Sequence, residues 1–169
     1  FVSAPYGDAD AITKLIKPTT AAVLIEPIQG EAGVVVPPVG YLRRVFDLCK
    51  ENNILMIADE IQTGLGRTGK LLACQHENVR PDITILGKAL SGGFYPVSAV
   101  IADSSILGLF VPGEHGSTFG GNPLAAAIAR AAIKVLVEEN MIQNSAILGE
   151  YFMDQLSEIS SPHIAEIRG

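Results

Sequence analysis

The 169-residue chain has no tryptophan and few aromatic or charged side chains, which supply 6% and 18% of its residues. Hydrophobic residues reach 48%, so the composition is that of a folded domain with a sizeable core and excludes a disordered chain. Lys and Arg are outnumbered, and the net charge of −6 argues against nucleic acid as the main partner, because phosphate binding needs clustered basic residues. The length corresponds to about one domain.

Cysteine and long hydrophobic runs are also scarce. Cys49 and Cys74 lie far apart and outside any metal-ligand spacing, which predicts two reduced thiols in a reducing compartment. No hydrophobic run approaches the ~20 residues of a transmembrane helix, and no signal peptide opens the chain. We therefore expect a protein of the cytoplasm or the mitochondrial matrix that is not secreted and has no membrane partner.

Both ends of the sequence look cut. The chain begins at Phe1 without a methionine and stops at Arg168-Gly169 without a terminal capping residue. These features predict a fragment of a longer polypeptide.

Hydrophobic periodicity and capping residues predict alternating strands and helices. A strand, a loop, a helix and a second strand follow one another before residue 59, an order that implies a parallel sheet with a right-handed crossover. The second strand is apolar throughout, as expected for a strand covered on both faces. The predicted strands are 21–26, 54–58, 83–86 and 97–102, and the predicted helices are 9–17, 41–53, 123–139 and 142–159.

Two of these strands end in chemically active side chains. Asp59 and Glu60 follow residues 54–58, and Lys88 follows residues 83–86. Ligands bind at the carboxyl edge of open α/β sheets, and an acid and an amine there suit pyridoxal phosphate (PLP), where the lysine forms a Schiff base and the acid pairs with the pyridine nitrogen. Burial would lower the pKa of Lys88 and free its amine. The alternatives are a lysine that extends to solvent and an Asp59 that only caps a turn.

Three loops carry further candidates. Glu31 lies in a glycine-punctuated loop after the first strand, and the alternative is a solvated acid. Ser117 and Thr118 precede a helix N-terminus in a glycine-rich loop that suits a phosphate, and the alternative is a capped helix alone. A G-x-G-x-x-G at residues 64–69 allows a nucleotide-binding domain, but its surroundings do not read as a strand-to-helix dinucleotide turn. His76 and His163 show no metal-site companions, and His115 is interpreted as structural rather than catalytic.

Four segments together resemble one family. They read EPIQGE at 26–31, DEIQTG at 59–64, LGKA at 86–89 and GSTFGGNP at 116–123. In this order and spacing they resemble the class III PLP-dependent aminotransferases of fold type I, over essentially the whole chain. The resemblance implies the large domain of that fold, a mostly parallel α/β sheet with flanking helices. Residues 30–33 and 93–98 look more like members that act on ornithine than like those that act on acetylornithine.

The resemblance also implies roles for individual residues. Lys88 resembles the lysine that holds PLP and moves protons, and Asp59 the acid that keeps the pyridine nitrogen protonated. Gln62 resembles the ligand of the phenolic oxygen, and Ile61 the residue that packs on the ring. Glu31 resembles the acid that masks an active-site arginine for ornithine and releases it for 2-oxoglutarate. Ser117 and Thr118 resemble phosphate ligands that the neighbouring subunit of a homodimer contributes.

Parts of the family's site have no counterpart in this sequence. Its phosphate-binding turn and an aromatic stacking residue would precede Phe1, and the arginine that pairs with Glu31 would follow Gly169 in a small C-terminal domain. We therefore expect residues 1–169 to be the central part of the PLP-binding large domain, from an enzyme that uses a small amino donor and a 2-oxo acid. The alternatives are an aminotransferase for acetylornithine or another ω-amino acid, and a catalytically silent fragment.

Overall fold

The computed structural model describes residues 1–169, and its centre is a four-stranded sheet in the order β1-β2-β3-β4. The first three strands are parallel, and β4 runs antiparallel to β3. This arrangement confirms the mostly parallel sheet that the order of elements predicted. The strands are β1 Ala22–Ile25, β2 Leu55–Asp59, β3 Ile83–Leu86 and β4 Ala99–Ala102.

Helices flank the sheet, and short 3₁₀ helices follow β2 and β3. Asp8 caps the first helix by accepting a hydrogen bond from the Ala11 amide, and Asn122 caps the fourth through the Ala125 amide, as their short polar side chains favour. The helices are α1 Ala9–Leu15, α2 Tyr41–Glu51, α3 Ser104–Leu107, α4 Pro123–Glu138 and α5 Met141–Ser157, and the 3₁₀ helices are Ala73–Glu77 and Lys88–Ser91.

The main core lies between α2 and the sheet. Val45 and Leu48 of α2 are fully buried, as are Met56 and Ala58 of β2. The apolar stripe of α2 therefore docks on one face of β2, which is the usual solution for an amphipathic helix beside a parallel strand. This packing fixes the strand that ends in Asp59.

The structure corrects several predicted boundaries. α1, α2 and α5 end two residues earlier than predicted. β4 begins at Ala99 rather than at residue 97 because its partner β3 ends at Leu86, the residue that pairs with Ala99. The short helix α3 and both 3₁₀ helices were not predicted, since one turn leaves no periodic pattern to detect.

The prediction that β2 is covered on both faces is also wrong for this chain. Its side chains alternate, with Met56 and Ala58 buried but Leu55 and Ile57 only half-buried. The less buried face of the sheet continues onto β1, where Leu24 is 60% exposed. The hydrophobic run therefore marks a strand in a parallel sheet, but in this chain only one face has a helix packed closely on it.

The structure also bears on the two cysteines and on the hydrophobicity of the helices. Cys49 and Cys74 are free and buried, in agreement with two reduced thiols. Burial raises the pKa of the Cys49 thiol to about 11. None of the helices has both the length and the hydrophobicity that crossing a membrane requires.

Candidate active site

The carboxyl edge of β1, β2 and β3 brings the predicted site residues together. Asp59 is the last residue of β2 and lies beside Ile85 of β3, so the register places Lys88 three residues past that pair. Gly87, between β3 and Lys88, packs against Ile61: a Cβ at Gly87 would lie 3.3 Å from the Ile61 Cγ2 atom. The two strand ends are therefore in contact, as the sequence predicted.

A hydrogen-bonded cluster forms at this edge. Lys88 Nζ lies 3.3 Å from Glu31 Oε1, and the same carboxylate oxygen accepts a hydrogen bond from Gln62 Nε2 at 3.2 Å. Three residues predicted from separate loops thus meet around one oxygen atom. Gly30 makes room for this contact, because a Cβ there would lie 2.6 Å from Gln62 Oε1.

Asp59 caps a turn and still presents a free oxygen. Its Oδ1 accepts a hydrogen bond from the Ile61 amide at 3.0 Å, which is the capping role considered as an alternative. Oδ2 has no protein partner, and since no buried side-chain oxygen lacks one, Oδ2 reaches the surface. Capping and ligand binding are therefore compatible at Asp59.

The predicted burial of Lys88 is wrong for this chain. Its side chain is 52% exposed, because Lys88 opens a 3₁₀ helix at the sheet edge instead of extending the buried strand. Its backbone φ of +41° lies in the left-handed region, which is unfavourable for a residue with a Cβ and is common at functional sites. The amine is consequently accessible to a ligand.

The loop that carries Glu31 is closed as a hairpin. Gln29 and Val35 exchange backbone hydrogen bonds of 3.1 and 2.9 Å, and Gly33 has a φ of +103° that glycine adopts without strain. Glu31 itself projects into solvent, with 85% of its side chain exposed. The hairpin therefore holds the backbone of the loop and leaves the Glu31 side chain in solvent.

The start of the same loop is held by Tyr6. Its hydroxyl lies 3.0 Å from the carbonyl oxygen of Glu26 and 2.9 Å from that of Pro27. Burial, and then the neighbouring Tyr41 and Glu26, raise the pKa of Tyr6 above its usual range. The hydroxyl therefore keeps its proton and anchors the end of β1.

Ser117 and Thr118 are not part of this cluster. Both are exposed, and Ser117 Oγ accepts a hydrogen bond from the Gly120 amide at 2.9 Å. The segment that follows them does reach the sheet edge, where Gly120, Gly121 and Asn122 line a cavity with Lys88. Their role as phosphate ligands stays a prediction.

Two cavities meet at Lys88. One of about 590 Å³ lies on the side of Ile61 and residues 119–122. The other, of about 990 Å³, lies between residues 88–94 and the helices α4 and α5, and it also contains Arg67. The smaller cavity adjoins the predicted cluster, and its volume is within the range of cofactor sites. Arg67 and Lys70 are exposed.

One buried acid at this edge had no predicted role. Glu60 is 1% exposed, and its carboxylate accepts hydrogen bonds from Thr63 Oγ1 and from the amides of Ala73 and Cys74. The sequence did indicate a role for Glu60, since an acid directly after an apolar strand needs hydrogen-bond partners, and Thr63 follows three residues later.

The glycine motif at residues 64–69 leads to the short 3₁₀ helix and not to an α-helix. This agrees with the prediction that its surroundings do not form a strand-to-helix dinucleotide turn.

Comparison with known proteins places this geometry in a family. The model of the class-III aminotransferases matches residues 6–169. Ornithine aminotransferases of Geobacillus and Bordetella pertussis are 58% and 57% identical over 98% and 100% of the chain. The chain covers 42% and 41% of their lengths, so it spans less than half of the curated relatives that it matches.

Solved structures agree with the sequence relatives. An ornithine δ-aminotransferase of Plasmodium falciparum superposes with a TM-score of 0.95 at 50% identity, over 100% of this chain and 44% of that one. An acetylornithine aminotransferase of Elizabethkingia anophelis superposes with a TM-score of 0.90 at 53% identity, over 94% of this chain and 40% of that one.

The mostly parallel sheet, with an amine and an acid at its carboxyl edge, is the architecture of the fold type I PLP-dependent transferases. Within that class, the chain belongs to the class-III aminotransferase family.

Proposed function

We propose that the full-length protein that contains this chain is a PLP-dependent aminotransferase that moves the δ-amino group of ornithine to 2-oxoglutarate, giving glutamate semialdehyde and glutamate. Residues 1–169 are then the central part of its PLP-binding large domain. The observation that carries the proposal is the meeting of Lys88, Gln62 and Glu31 around one carboxylate oxygen. The names of the sequence relatives support the choice of ornithine.

Four of the residues present fit PLP. Lys88 offers an accessible amine at a cavity, and Ile61 provides an apolar wall of the same cavity. Asp59 Oδ2 is free to accept a hydrogen bond from a ring N–H, and Gln62 Nε2 lies on the same turn as a donor to a ring oxygen. When bound, PLP supplies an electron sink for the carbanion that forms on the amino donor.

Each side chain has a defined task in this proposal. Lys88 Nζ would hold the cofactor covalently and, once freed by the amino donor, its neutral amine would be the base that takes the proton from the donor's δ-carbon and carries it as an ammonium group. The carboxylate of Asp59 holds a proton on the ring nitrogen through a charge-assisted hydrogen bond. Ile61 excludes water from one side of the ring, and Glu31 governs which amino donor fits.

The test is a comparison of amino donors with the full-length protein. Ornithine should react through its δ-amine faster than N-acetylornithine, with 2-oxoglutarate as acceptor, and Lys88→Ala should provide the background rate. Identification of glutamate semialdehyde as the product, against the α-keto acid that reaction at the α-amine would give, defines the site of transfer. No turnover with either donor would favour the silent alternative.

A second candidate is an acetylornithine aminotransferase, which the 53% identity to the Elizabethkingia enzyme supports. Both donors carry a free δ-amine and differ in whether the α-amine is acylated. A higher kcat/KM for N-acetylornithine than for ornithine would establish this candidate in place of the first.

A further inference from the structure

Glu60 is a buried carboxylate at the carboxyl edge of the sheet, directly after Asp59. Its side chain is 1% exposed and makes no ion pair with Lys, Arg or His. A carboxylate without a counter-ion is costly to bury unless several donors surround it. The environment of Glu60 is therefore built for this residue, and the mechanism above does not use it.

Three donors surround the Glu60 carboxylate. Oε2 accepts hydrogen bonds from Thr63 Oγ1 at 2.5 Å and from the Ala73 amide at 3.0 Å, and Oε1 accepts one from the Cys74 amide at 2.8 Å. Every partner is a donor, which matches an ionised carboxylate because that group only accepts. The two amides belong to the first turn of the 3₁₀ helix Ala73–Glu77, whose amide groups have no partners within the helix.

The main chain of Glu60 is held as firmly as its side chain. Its amide donates to the Ile85 carbonyl of β3 at 3.0 Å, and its carbonyl accepts from the Gly64 amide at 2.9 Å. Gly64 is tightly packed there, since a Cβ would lie 2.7 Å from the Glu60 carbonyl oxygen. Glu60 thus joins β3, the turn 60–64 and the 3₁₀ helix at one point.

The turn that Glu60 fixes is the one that presents the cofactor-facing side chains. Asp59 precedes it and accepts from the Ile61 amide, Ile61 packs towards Gly87, and Gln62 donates to Glu31. Any rotation of residues 60–63 would move all of these side chains together. Such small displacements reduce catalytic efficiency strongly, because the site depends on orientation.

We propose that Glu60 is a positioning residue for the cofactor: its buried carboxylate locks the turn 60–64 to the 3₁₀ helix Ala73–Glu77 and thereby sets the orientation of Asp59, Ile61 and Gln62. This inference rests on the proposed function. Glu60 touches neither cofactor nor substrate in this account and acts only through its neighbours.

The test uses Glu60→Gln in the full-length protein. An amide has one acceptor oxygen, so its NH₂ group must face either the Cys74 amide or the two donors at Oε2, and at least one hydrogen bond is lost. We expect about tenfold weaker PLP binding, the factor that the loss of one charge-assisted hydrogen bond implies, and a shifted pH dependence of the visible absorbance of bound PLP because Asp59 is reoriented.

Asp82→Asn is the matched control. Asp82 is a partly buried acid that also binds a backbone amide, that of Met56 at 2.9 Å, but at the opposite end of β2. Its removal should lower thermal stability without altering PLP affinity or the pH dependence of the absorbance. An effect of both variants in proportion to their stability loss would mean that Glu60 is merely structural and would overturn the proposal.

Thr63 provides a second pair of variants should Glu60→Gln fail to fold. Thr63→Val removes one donor and should weaken PLP binding, whereas Thr63→Ser keeps the hydroxyl and should restore it. PLP binding by Glu60→Gln and Thr63→Val equal to that of the wild type would also overturn the proposal. Absence of PLP binding by the wild type itself would instead refute the proposed function, so the two failures are distinguishable.

Discussion

In the proposed function each carboxylate oxygen of Asp59 has its own task, and a single substitution can separate the two tasks. Asparagine keeps the Oδ1 that caps the Ile61 amide but cannot hold a pyridinium proton. We expect Asp59→Asn to remain folded and to lower the transamination rate strongly, since a charge-assisted hydrogen bond contributes about 1.5–3 kcal/mol and the loss falls on the carbanionic transition state. Stopped-flow half-reactions and the absorbance of bound PLP measure it. A normal kcat with an unaltered spectrum would show that Asp59 is only a turn cap.

In the proposed function, Glu31 is the residue that governs substrate choice. Ornithine presents its terminal amine, whereas glutamate presents an α-amine beside a carboxylate, so an arginine that suits glutamate should be masked for ornithine. Because the hairpin closes through Gln29 and Val35, Glu31→Ala should leave the backbone unchanged. We expect preference to shift from ω-amino towards α-amino donors, with the glutamate half-reaction retained or faster.

Half-reaction kinetics with ornithine and glutamate decide the role of Glu31. Glu51→Ala is the control, because Glu51 is also an exposed acid and pairs only with Arg44 on α2. Equal slowing of both donors by Glu31→Ala would assign Glu31 to the scaffold.

Some features of the candidate site were predictable from the sequence and others were not. Lys88, Gln62 and Glu31 were predicted from local patterns and from resemblance, and the structure brings them together. The partner of Lys88 and the exposure of its amine were not predictable, because both depend on how loops 57 residues apart in sequence fold against one another. The sequence indicated that Glu60 needs partners, but two of its three donors, the amides of residues 73 and 74, were not predictable because they belong to a 3₁₀ helix that has no periodic signature.

Asp82 ties α2 to the sheet at the level of elements. Lys50 Nζ of α2 lies 2.5 Å from its Oδ1, and the Met56 amide of β2 donates to its Oδ2 at 2.9 Å. Burial acts to raise the pKa of Asp82, but the hydrogen bonds from Lys50 and Met56 outweigh it and the pKa is lowered from 3.8. A depressed folded-state pKa means that the stabilisation is complete above the unfolded-state pKa and is lost as the pH falls through the folded-state value.

Asp82→Asn should therefore destabilise the full-length protein at neutral pH by about 1–3 kcal/mol, the cost of weakening a buried charged hydrogen bond. The difference from the wild type should shrink as the pH falls below 3.8. Urea denaturation across pH 2.5–7 measures it. A difference that stays constant over that range would exclude a titrating Asp82 as its source.

Strands and long helices were the predictable elements. Apolar strands beside an amphipathic α2 leave few arrangements other than a parallel sheet, and the Asn122-Pro123 start of α4 is explicit in the sequence. The ends of α1, α2 and α5 were less predictable, because competing hydrogen bonds decide the last turn. The partial exposure of one face of β2 could not be predicted from the sequence, because an apolar run does not show which helices pack on each face of a strand.

At the scale of the whole molecule, the exposed loop with Ser117 and Thr118 leads to a prediction about assembly. We expect the full-length protein to be a homodimer in which this loop completes the partner's site. Ser117→Asp retains an acceptor for the Gly120 amide and places a negative charge opposite the cofactor phosphate, so it should abolish PLP binding. Asn78→Asp, at the end of the 3₁₀ helix Ala73–Glu77, is a charge-matched control.

Mixing of two inactive variants tests the shared site. Ser117→Asp and Lys88→Ala subunits, unfolded and refolded together, should regain roughly a quarter of the wild-type activity, because half of the dimers are mixed and each of these has one intact site. No recovery from a mixture that sedimentation shows to contain mixed dimers would contradict a loop that acts across the interface.

In the proposed function Lys88 carries the cofactor. Reduction of the PLP-loaded full-length protein with borohydride is the most direct test of that attachment. Peptide mass spectrometry should find the pyridoxyl group on Lys88, and Lys88→Ala should have no turnover and should lose PLP on dialysis. Lys70, an exposed lysine of the neighbouring loop, is the internal control and should remain unmodified. A pyridoxyl group on Lys70 or on any other lysine, with Lys88 unmodified, would contradict the account.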